Sequence, residues 1–506
     1  MTSFAPLCRY QSRDSGHADR RWAARTGVVA LSLLILLPSH ARADKLAGLV
    51  KRLFDVSTIN APSPNPANPS LTIPHQPHFI IGENVKLTTR EMNLALASQL
   101  ASFPLASSSG GFSFSVNERG EVMPTSTNFG PSFAERGVTI GRKQFNFGFT
   151  FQATGYSSFE GIDLDSNELS FIREHNDCCP GVLNNYAVAT SDASAVTGFT
   201  PEFERDLLRS NLRASIDTKT TAFFANYGVT NRFDVGIAVP IVNVQMDATV
   251  DSELLRTGSA VNPLTHSFDG RGGSTASFSE SGSATGLGDV LLRAKYNFLR
   301  TSTSALAAAL DLRLPTGDED ELLGTGATQT KLLFVASGEY GRFSPHVNFG
   351  YTFSSGEASE EATSFDLDPA LFALNTVPGG FVPSTVDLSV PDEINYTIGF
   401  SVAPTSLVTL GFDVYGRTFQ DVPRFALQSN VYPNRAAGPL PSASFTANDE
   451  FSVESRDGNL NVVLGVVGGK INLGGTFLLN LTVLFQLNDA GLKTKPTPVI
   501  GFDYVF

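Results

Sequence analysis

The chain closes on Val499-Ile500-Gly501-Phe502-Asp503-Tyr504-Val505-Phe506, with an aromatic residue at every second position from Phe502. A period of two places successive side chains on opposite faces of a strand. The same spacing recurs upstream. Phe145, Phe147, Phe149 and Phe151 alternate with Asn146, Gly148, Thr150 and Gln152. Val290, Leu292, Ala294, Tyr296 and Phe298 alternate with Asp289, Leu291, Arg293, Lys295 and Asn297. Ile394, Tyr396, Ile398, Phe400 and Val402 alternate with Glu393, Asn395, Thr397, Gly399 and Ser401. A strand in a soluble sheet needs about four to eight such residues. Several segments here reach about ten, the length at which a tilted strand crosses a bilayer.

Read this way, the sequence predicts twelve strands near 143–156, 209–228, 231–249, 286–299, 304–314, 328–340, 344–354, 391–403, 407–417, 457–468, 474–487 and 497–506. Short connections (229–230, 300–303, 341–343, 404–406, 469–473) alternate with longer ones (157–208, 250–285, 315–327, 355–390, 418–456, 488–496). Tight turns on one side and long loops on the other are what a membrane barrel requires, and closure removes exposed strand edges. The expected class is therefore all-β: a transmembrane antiparallel β-barrel with both termini on the short-turn, periplasmic side. The wall would hold fourteen strands if 111–117 and a partner near 121–126 joined it.

Residues 1–43 read as a secretory signal peptide. Arg20, Arg21 and Arg25 precede the apolar run Val28–Leu37, and Ala41-Arg42-Ala43 resembles a cleavage site. Residues 44–142 form a second, partly helical segment. Asp44 can cap a helix whose Leu46, Leu49, Val50, Leu53 and Phe54 share a face. A proline-rich linker follows, and Thr88 with Glu91 forms a capping-box pattern. This segment is either a periplasmic extension or a plug at the barrel mouth. Residues 143–506 make the barrel.

Without residues 1–43, the chain's 36 basic and 49 acidic residues fall to 30 and 47. Such an acidic balance argues against nucleic-acid binding. Phe occurs 39 times but Trp once, at Trp22, so interface girdles would be built from Phe and Tyr. Cys178 and Cys179 are adjacent in a predicted long loop and are a candidate disulfide.

The predicted inward face carries Arg213, Asp217, Lys219, Asp234, Asp289, Arg293, Lys295, Asp311, Arg313, Lys331, Glu339, Glu393, Asp413 and Arg417. Two readings are open: cross-strand charge pairs that satisfy one another, or an ion-lined wet pathway. At Pro240 the apolar phase moves from Phe233, Val235, Ile237 and Val239 to Val242, Val244 and Met246. This implies a bulge or kink that opens the wall sideways, or a strand leaving the bilayer at that point.

Catalytic signatures are sparse. GxSxG, HExxH, P-loop and CxxC patterns are missing. Asp163-x-Asp165-Ser-Asn167-Glu168 and Asp318-Glu-Asp-Glu321 are oxygen-rich but read as solvated loops rather than cation sites. Ser344 and His346 lie close on one strand, without a further partner to define a role. No cofactor and no metal are expected.

Four stretches carry a resemblance. They are Asp234-Val-Gly-Ile-Ala-Val-Pro240, Gly286-Leu-Gly-Asp-Val-Leu-Leu-Arg-Ala-Lys-Tyr296, Arg313-Leu-Pro-Thr-Gly-Asp318 with Leu323-Gly-Thr-Gly326, and Phe343-Ser-Pro-His-Val-Asn348. Over roughly 210–420 the chain resembles an outer-membrane transporter family associated with phenol or aromatic degradation. That family is similar in outline to the long-chain fatty-acid transporters. A terminal strand ending in Phe506 resembles the end that barrel-assembly machinery recognises. The resemblance implies passage of small hydrophobic or aromatic solutes through a barrel set in bacterial outer-membrane lipid and lipopolysaccharide. Two other functions remain open: an adhesive or structural barrel acting through its acidic loops, and an outer-membrane lipid hydrolase.

Overall fold

Alternation becomes a closed wall. The computed structural model describes residues 45–57, 128–174, 206–256, 266–355, 357–364, 382–432, 445–474 and 476–505, with short pieces at 59, 63–65, 68–73, 79, 88–89, 91–92, 95–96, 98–100, 114–116 and 122–124. The wall runs β1 (Phe145–Phe159), β2 (Leu207–Gly228), β3 (Phe233–Leu255), β5 (Val290–Arg300), β6 (Ser304–Leu314), β7 (Thr328–Gly338), β8 (Phe343–Ser355), β9 (Glu393–Val402), β10 (Val408–Tyr432), β11 (Phe445–Gly474), β12 (Phe477–Gln486) and β13 (Thr497–Val505). β4 (Thr275–Leu287) continues the line of β5 upward along β3. Every neighbouring pair is antiparallel, and β13 bonds β1, so twelve strands close the ring. The short strands Phe114–Val116 and Val122–Pro124 pair with each other outside this ring, so the wall does not reach fourteen.

The outer face explains the Phe count. Phe147, Phe151, Phe223, Leu310, Leu332, Phe334, Phe349, Ile398, Phe412, Leu481 and Phe502 all point out and remain exposed. A belt of that extent far exceeds the few hundred Å² of apolar patch a soluble monomer tolerates, and lipid is the solvent that suits it. Near the short turns the belt ends in Tyr227, Tyr296, Tyr340, Phe343, Phe477 and Tyr504. Phe477 and Tyr504 touch across β12 and β13 at 4.7 Å. No helix among the described residues is long and apolar enough to cross a membrane.

Several of the predicted loops are partly strand. β3 and β4 occupy much of 250–285, and β10 and β11 extend far into 418–456. On β3 the even positions face inward without interruption from Asp234 to Leu254, and the register with β2 runs unbroken from Leu207 opposite Leu255 to Gly228 opposite Asp234. The phase slip expected at Pro240 is therefore absent. What changes is polarity. Below Pro240 the outward residues are Phe233, Val235, Ile237 and Val239. Above it they are Asn243, Gln245, Asp247, Thr249 and Asp251, while Val244, Met246, Ala248 and Val250 turn inward and are buried. The strand has left the apolar belt, so water bathes its outside and an apolar core fills its inside.

The same inversion corrects Arg213, Asp217 and Lys219. On β2 the buried positions are Leu212, Ile216, Thr218 and Thr220, and the three charged residues lie on the outward face. A rule of polar side chains inward holds only within the belt. The register break near Pro240 falls on its other neighbour. β5 pairs with β3 as far as Leu291 opposite Ala238, and β4 resumes at Leu287 opposite Ile241. Gly288 and Asp289 form the step between them, and the Gly288 N–H donates to the Pro240 carbonyl at 2.9 Å.

Candidate functional site

The interior is filled in two storeys. At the short-turn end, residues 128–140 run across the lumen as a strap. The strap is built from polar main chain and small residues, so it needs partners, and the inward faces supply them. Phe129 N–H donates to Thr409 Oγ1, Glu135 N–H to Asn348 Oδ1 and Gly137 N–H to Ser337 Oγ. Ile140 N–H donates to Asp234 Oδ2 at 3.0 Å, and Ser132 Oγ bonds Asn480 and Thr482. Asn348 returns a bond to the Glu135 carbonyl at 3.0 Å. Phe129 packs on Leu478 and Val505, and Phe133 on Leu464, Val466, Leu484 and Val499.

Most inward charges are spoken for at this level. Glu135 pairs with Arg293 and with Lys295, at 3.3 Å from the latter. Arg293 also grips Asp311 through two bonds of 2.6 Å. Arg417 forks onto Glu393 at 2.6 and 3.1 Å. His346 Nε2 lies 2.5 Å from Asp413 Oδ1. Arg313 and Lys331 are half-buried on the same inward faces, with Lys331 opposite Asp311. Glu339 reaches Arg136 at the lower rim. Burial pushes the Arg136 guanidinium down from its usual range, and Glu339 pulls it back up. The arrangement is that of mutually satisfied pairs rather than a row of solvated ions.

The upper storey is apolar. The helix α1 (Leu49–Val56) and the turn before it bury Leu46, Leu49, Val50, Leu53 and Phe54. These residues share one core with Met92, Leu96, Phe159, Phe171, Met246, Leu323, Phe425 and Phe451. Asp44 lies outside the described residues, and the helix starts at Gly48 without a side-chain cap. Its C-terminal end is held instead by Arg173. The guanidinium donates to the Phe54 carbonyl at 2.9 Å, to the Ser57 carbonyl, to Ser57 Oγ at 2.9 Å and to Ser210 Oγ at 2.8 Å. Burial lowers its pKa to about 10, with the Asp55 charge opposing, so it stays protonated at neutral pH.

Between the storeys the loop after β6 lies against the wall step. The Asp289 carboxylate accepts from Gly317 N–H at 3.1 Å and from Thr325 N–H and Oγ1, both at 2.9 Å. Gly288 has no room for a side chain, since a Cβ there would sit 2.9 Å from Val242 and 3.1 Å from Pro240. Asp234 and Asp289, two of the sequence candidates, thus hold main chain of the strap and of this loop respectively.

Ser344 and His346 are buried inside the wall at the strap level, and their strand turns them away from lipid. Asp413, the neighbour sequence reading did not supply, reaches His346 across Gly399. A Cβ at Gly399 would lie 2.2 Å from Asp413 Oδ1 and 2.4 Å from the Phe412 carbonyl. Gly399→Val is expected to cost about 1–3 kcal/mol through overpacking, read as a lower midpoint in urea unfolding. An unchanged midpoint would show that the wall relaxes around it.

Among the described residues no three His, Cys, Asp or Glu side chains gather as a metal site. Asp163 and Asp318 accept main-chain bonds from Asp165 and Asp320 within their own loops. Cys178, Cys179 and Phe506 lie outside the described residues. The strap and Arg173 escaped sequence reading.

Residues 209–456 match the model of a family described as "Putative MetA-pathway of phenol degradation". No curated protein matches the chain. Among solved structures the chain is similar to an outer-membrane channel from Pseudomonas putida F1, at 10% identity, with 73% of this chain and 97% of that one covered and a TM-score of 0.36. It is similar to the monoaromatic hydrocarbon channel CymD at 9% identity, covering 72% and 89%, with a TM-score of 0.31. A Pseudomonas aeruginosa FadL homologue aligns at 10% identity over 72% and 90%, with a TM-score of 0.28.

Proposed function

We propose, from the match of residues 209–456 to that phenol-degradation family model, that this outer-membrane barrel takes up small hydrophobic or aromatic solutes passively. The reading rests on one coincidence of level. At Pro240 the interior passes from apolar to polar and strap-blocked, and the wall breaks its register at the same height. An apolar molecule in the upper storey meets charge pairs below it, where desolvation is costly, and lipid beside it, where it is soluble. Sideways exit at the Pro240–Gly288 step, past the loop held by Asp289, is the route that avoids the charges. The strap and the paired lumen charges argue against a wide aqueous pore. The short-turn end and both termini face the periplasm in this reading, and the chain needs no cofactor and performs no catalysis.

The test is swelling of liposomes that hold the refolded protein, comparing charged, neutral and aromatic solutes of similar size. Aromatic entry with sugars excluded is expected. Entry of every small solute would instead mark a general porin, and no entry at all would leave the adhesive-barrel alternative. Asp289→Ala removes three bonds from the loop, each worth about 0.5–1.5 kcal/mol or more as bonds to a charged group. It is expected to raise aromatic uptake several-fold. Pro240→Val, with uptake unchanged, would count against the sideways route.

A further inference from the structure

At the short-turn side the apolar belt ends on turns with an excess of positive charge. Arg142 and Lys143 precede β1, Arg232 closes the turn between β2 and β3, Arg300 ends β5, and Arg342 precedes β8. All five are exposed. The chain as a whole has a net charge of −13, yet turns 141–144, 229–232, 300–303 and 339–342 hold one carboxylate, Glu339, and the strap's Arg136 takes it at 3.1 Å. None of the five basic residues enters an ion pair among the described residues. The other short connections, 403–407 and 472–476, contain no charged residue. The cations therefore form an arc under β1 to β8 rather than a full ring.

Main-chain bonds hold the arc in place. The Lys143 N–H donates to the Gly228 carbonyl at 2.7 Å and the Arg142 N–H to Asn231 Oδ1 at 3.1 Å, which puts Arg142, Lys143 and Arg232 on two joined turns. The Asn297 N–H donates to the Arg232 carbonyl at 2.8 Å, and the Glu339 N–H to the Thr303 carbonyl at 2.8 Å. Each turn is thus tied to the next, from β1 round to β8. Lys143 sits at a φ of 65°, a left-handed position that Gly or Asn occupies at lower cost. Like charges fixed on one arc repel, and an anion set among them answers several at once.

The level of the arc selects the anion. Tyr227, Tyr296, Tyr340 and Phe343 are exposed beside the same turns. Aromatic side chains at the edge of an apolar belt sit at the level of lipid headgroups. Basic side chains just beyond them reach phosphate while their aliphatic stems lie on apolar surface. We propose that the arc from Arg142 to Arg342 binds anionic glycerophospholipid headgroups in the leaflet on the short-turn side. Lipids of no net charge meet the same girdle but carry a choline or amine that the arc repels. A soluble acidic polymer reaches the charges yet gains nothing from the girdle. The inference stands on the outer-membrane setting alone. In the uptake reading that leaflet faces the periplasm, and the arc passes under the lower ends of β3 and β5, the strands that carry the Pro240–Gly288 step.

The experiment refolds the full chain into phosphatidylcholine bilayers that hold a trace of spin-labelled phosphatidylglycerol or spin-labelled phosphatidylcholine. The motionally restricted fraction of each label gives its relative association with the protein. A basic residue near an anionic surface strengthens association by about fivefold. Phosphatidylglycerol is therefore expected to be preferred by about fivefold or more, and the preference should shrink in about 1 M salt. Combining Arg142→Gln, Lys143→Asn, Arg232→Gln, Arg300→Gln and Arg342→Gln is expected to abolish it. Two partial variants, one with the first three changes and one with the last two, should each keep part of it. All five positions are exposed, strand circular dichroism checks the fold, and the partial variants decide the matter should the combined one misfold. As a control, Lys219→Gln, Arg271→Gln and Lys495→Gln remove three exposed cations near the long loops and should leave the preference intact. No preference in the wild type, a preference that survives in the folded combined variant, or an equal loss in the control overturns the proposal. Capture of soluble peptidoglycan fragments with no preference among lipids would assign the arc to a glycan polymer and overturn it as well.

Discussion

Glu135→Ala is expected to open the lower storey to small polar solutes. Lys295 is 1% exposed, and its ammonium has Glu135 Oε2 at 3.3 Å and the Arg136 carbonyl at 3.4 Å. Arg293 keeps Asp311 when Glu135 is lost, while Lys295 loses the Glu135 carboxylate and keeps the charge of Asp234 opposite it. Removing one partner of a buried pair costs up to about 3–5 kcal/mol, and less here because Asp234 still answers part of the Lys295 charge. The cheapest relief is to let water in, and the strap is the part that can give way. It is held by side-chain bonds worth about 0.5–1.5 kcal/mol each, whereas the wall is a closed ladder. Swelling rates for small sugars should rise several-fold, with conductance steps in planar bilayers that are not expected of the wild type. Glu135→Gln, which keeps one acceptor, should fall between. Glu135→Leu combined with Lys295→Met removes both charges and should restore closure, with a coupling of about 0.5–3 kcal/mol between the two sites. If Glu135→Ala admits no sugar while the double variant destabilises the barrel, the strap is not what closes the lower lumen.

The contrast between wall and filling also governs what could be read from sequence. β6 was legible to the residue over 304–314, because Leu306, Ala308, Leu310 and Leu312 face lipid and Asp311 with Arg313 faces the lumen. Each face has a single solvent there, so period and polarity agree. Above Pro240 they part company. The period persists through Val244, Met246 and Val250, but water is now outside and the core inside. A reader who takes polar for inward then turns Arg213, Asp217 and Lys219 the wrong way and stops the strand early. The strap had no period at all. Its partners Thr409, Asn348, Ser337 and Asn480 come from four strands spread along the chain, and no local spacing links them to residues 128–140. The His346–Asp413 contact is hidden for the same reason, since only the ring of strands brings 67 residues of separation down to one hydrogen bond. Where a side chain's environment is set by its own neighbours, the sequence carries it. Where the environment is assembled by closure, the sequence does not.

The upper storey depends on a different residue, and this separates the two closures. Arg173→Ala is expected to release α1. The helix has eight residues, too few to persist alone, and its first turn carries no side-chain cap. Its apolar face is buried in the shared core, and its C-terminal carbonyls accept from one guanidinium, with Ser57 Oγ and Ser252 Oγ as neutral partners. Without the guanidinium the Phe54 carbonyl keeps only Ser57 Oγ at 3.1 Å and the Ser57 carbonyl only Ser252 Oγ at 3.2 Å, and each loses a bond to a charged group worth about 1.5–3 kcal/mol. The favourable charge at the helix C-terminus is also lost, a further effect of about 0.3–2 kcal/mol. Together these approach what an eight-residue apolar face can hold in place. Hydrogen exchange across 49–56 should accelerate by about two orders of magnitude or more. Aromatic solutes should then enter faster, while sugars remain excluded because the strap is untouched. Arg173→Lys keeps the charge but not the fork geometry, and should give a smaller change in both readouts. The opposite selectivity is expected of Glu135→Ala, which admits sugars and leaves exchange in α1 slow. Should Arg173→Ala admit sugars and aromatics alike, the two storeys would be one cooperative plug, and the apolar route could not be separated from the polar one.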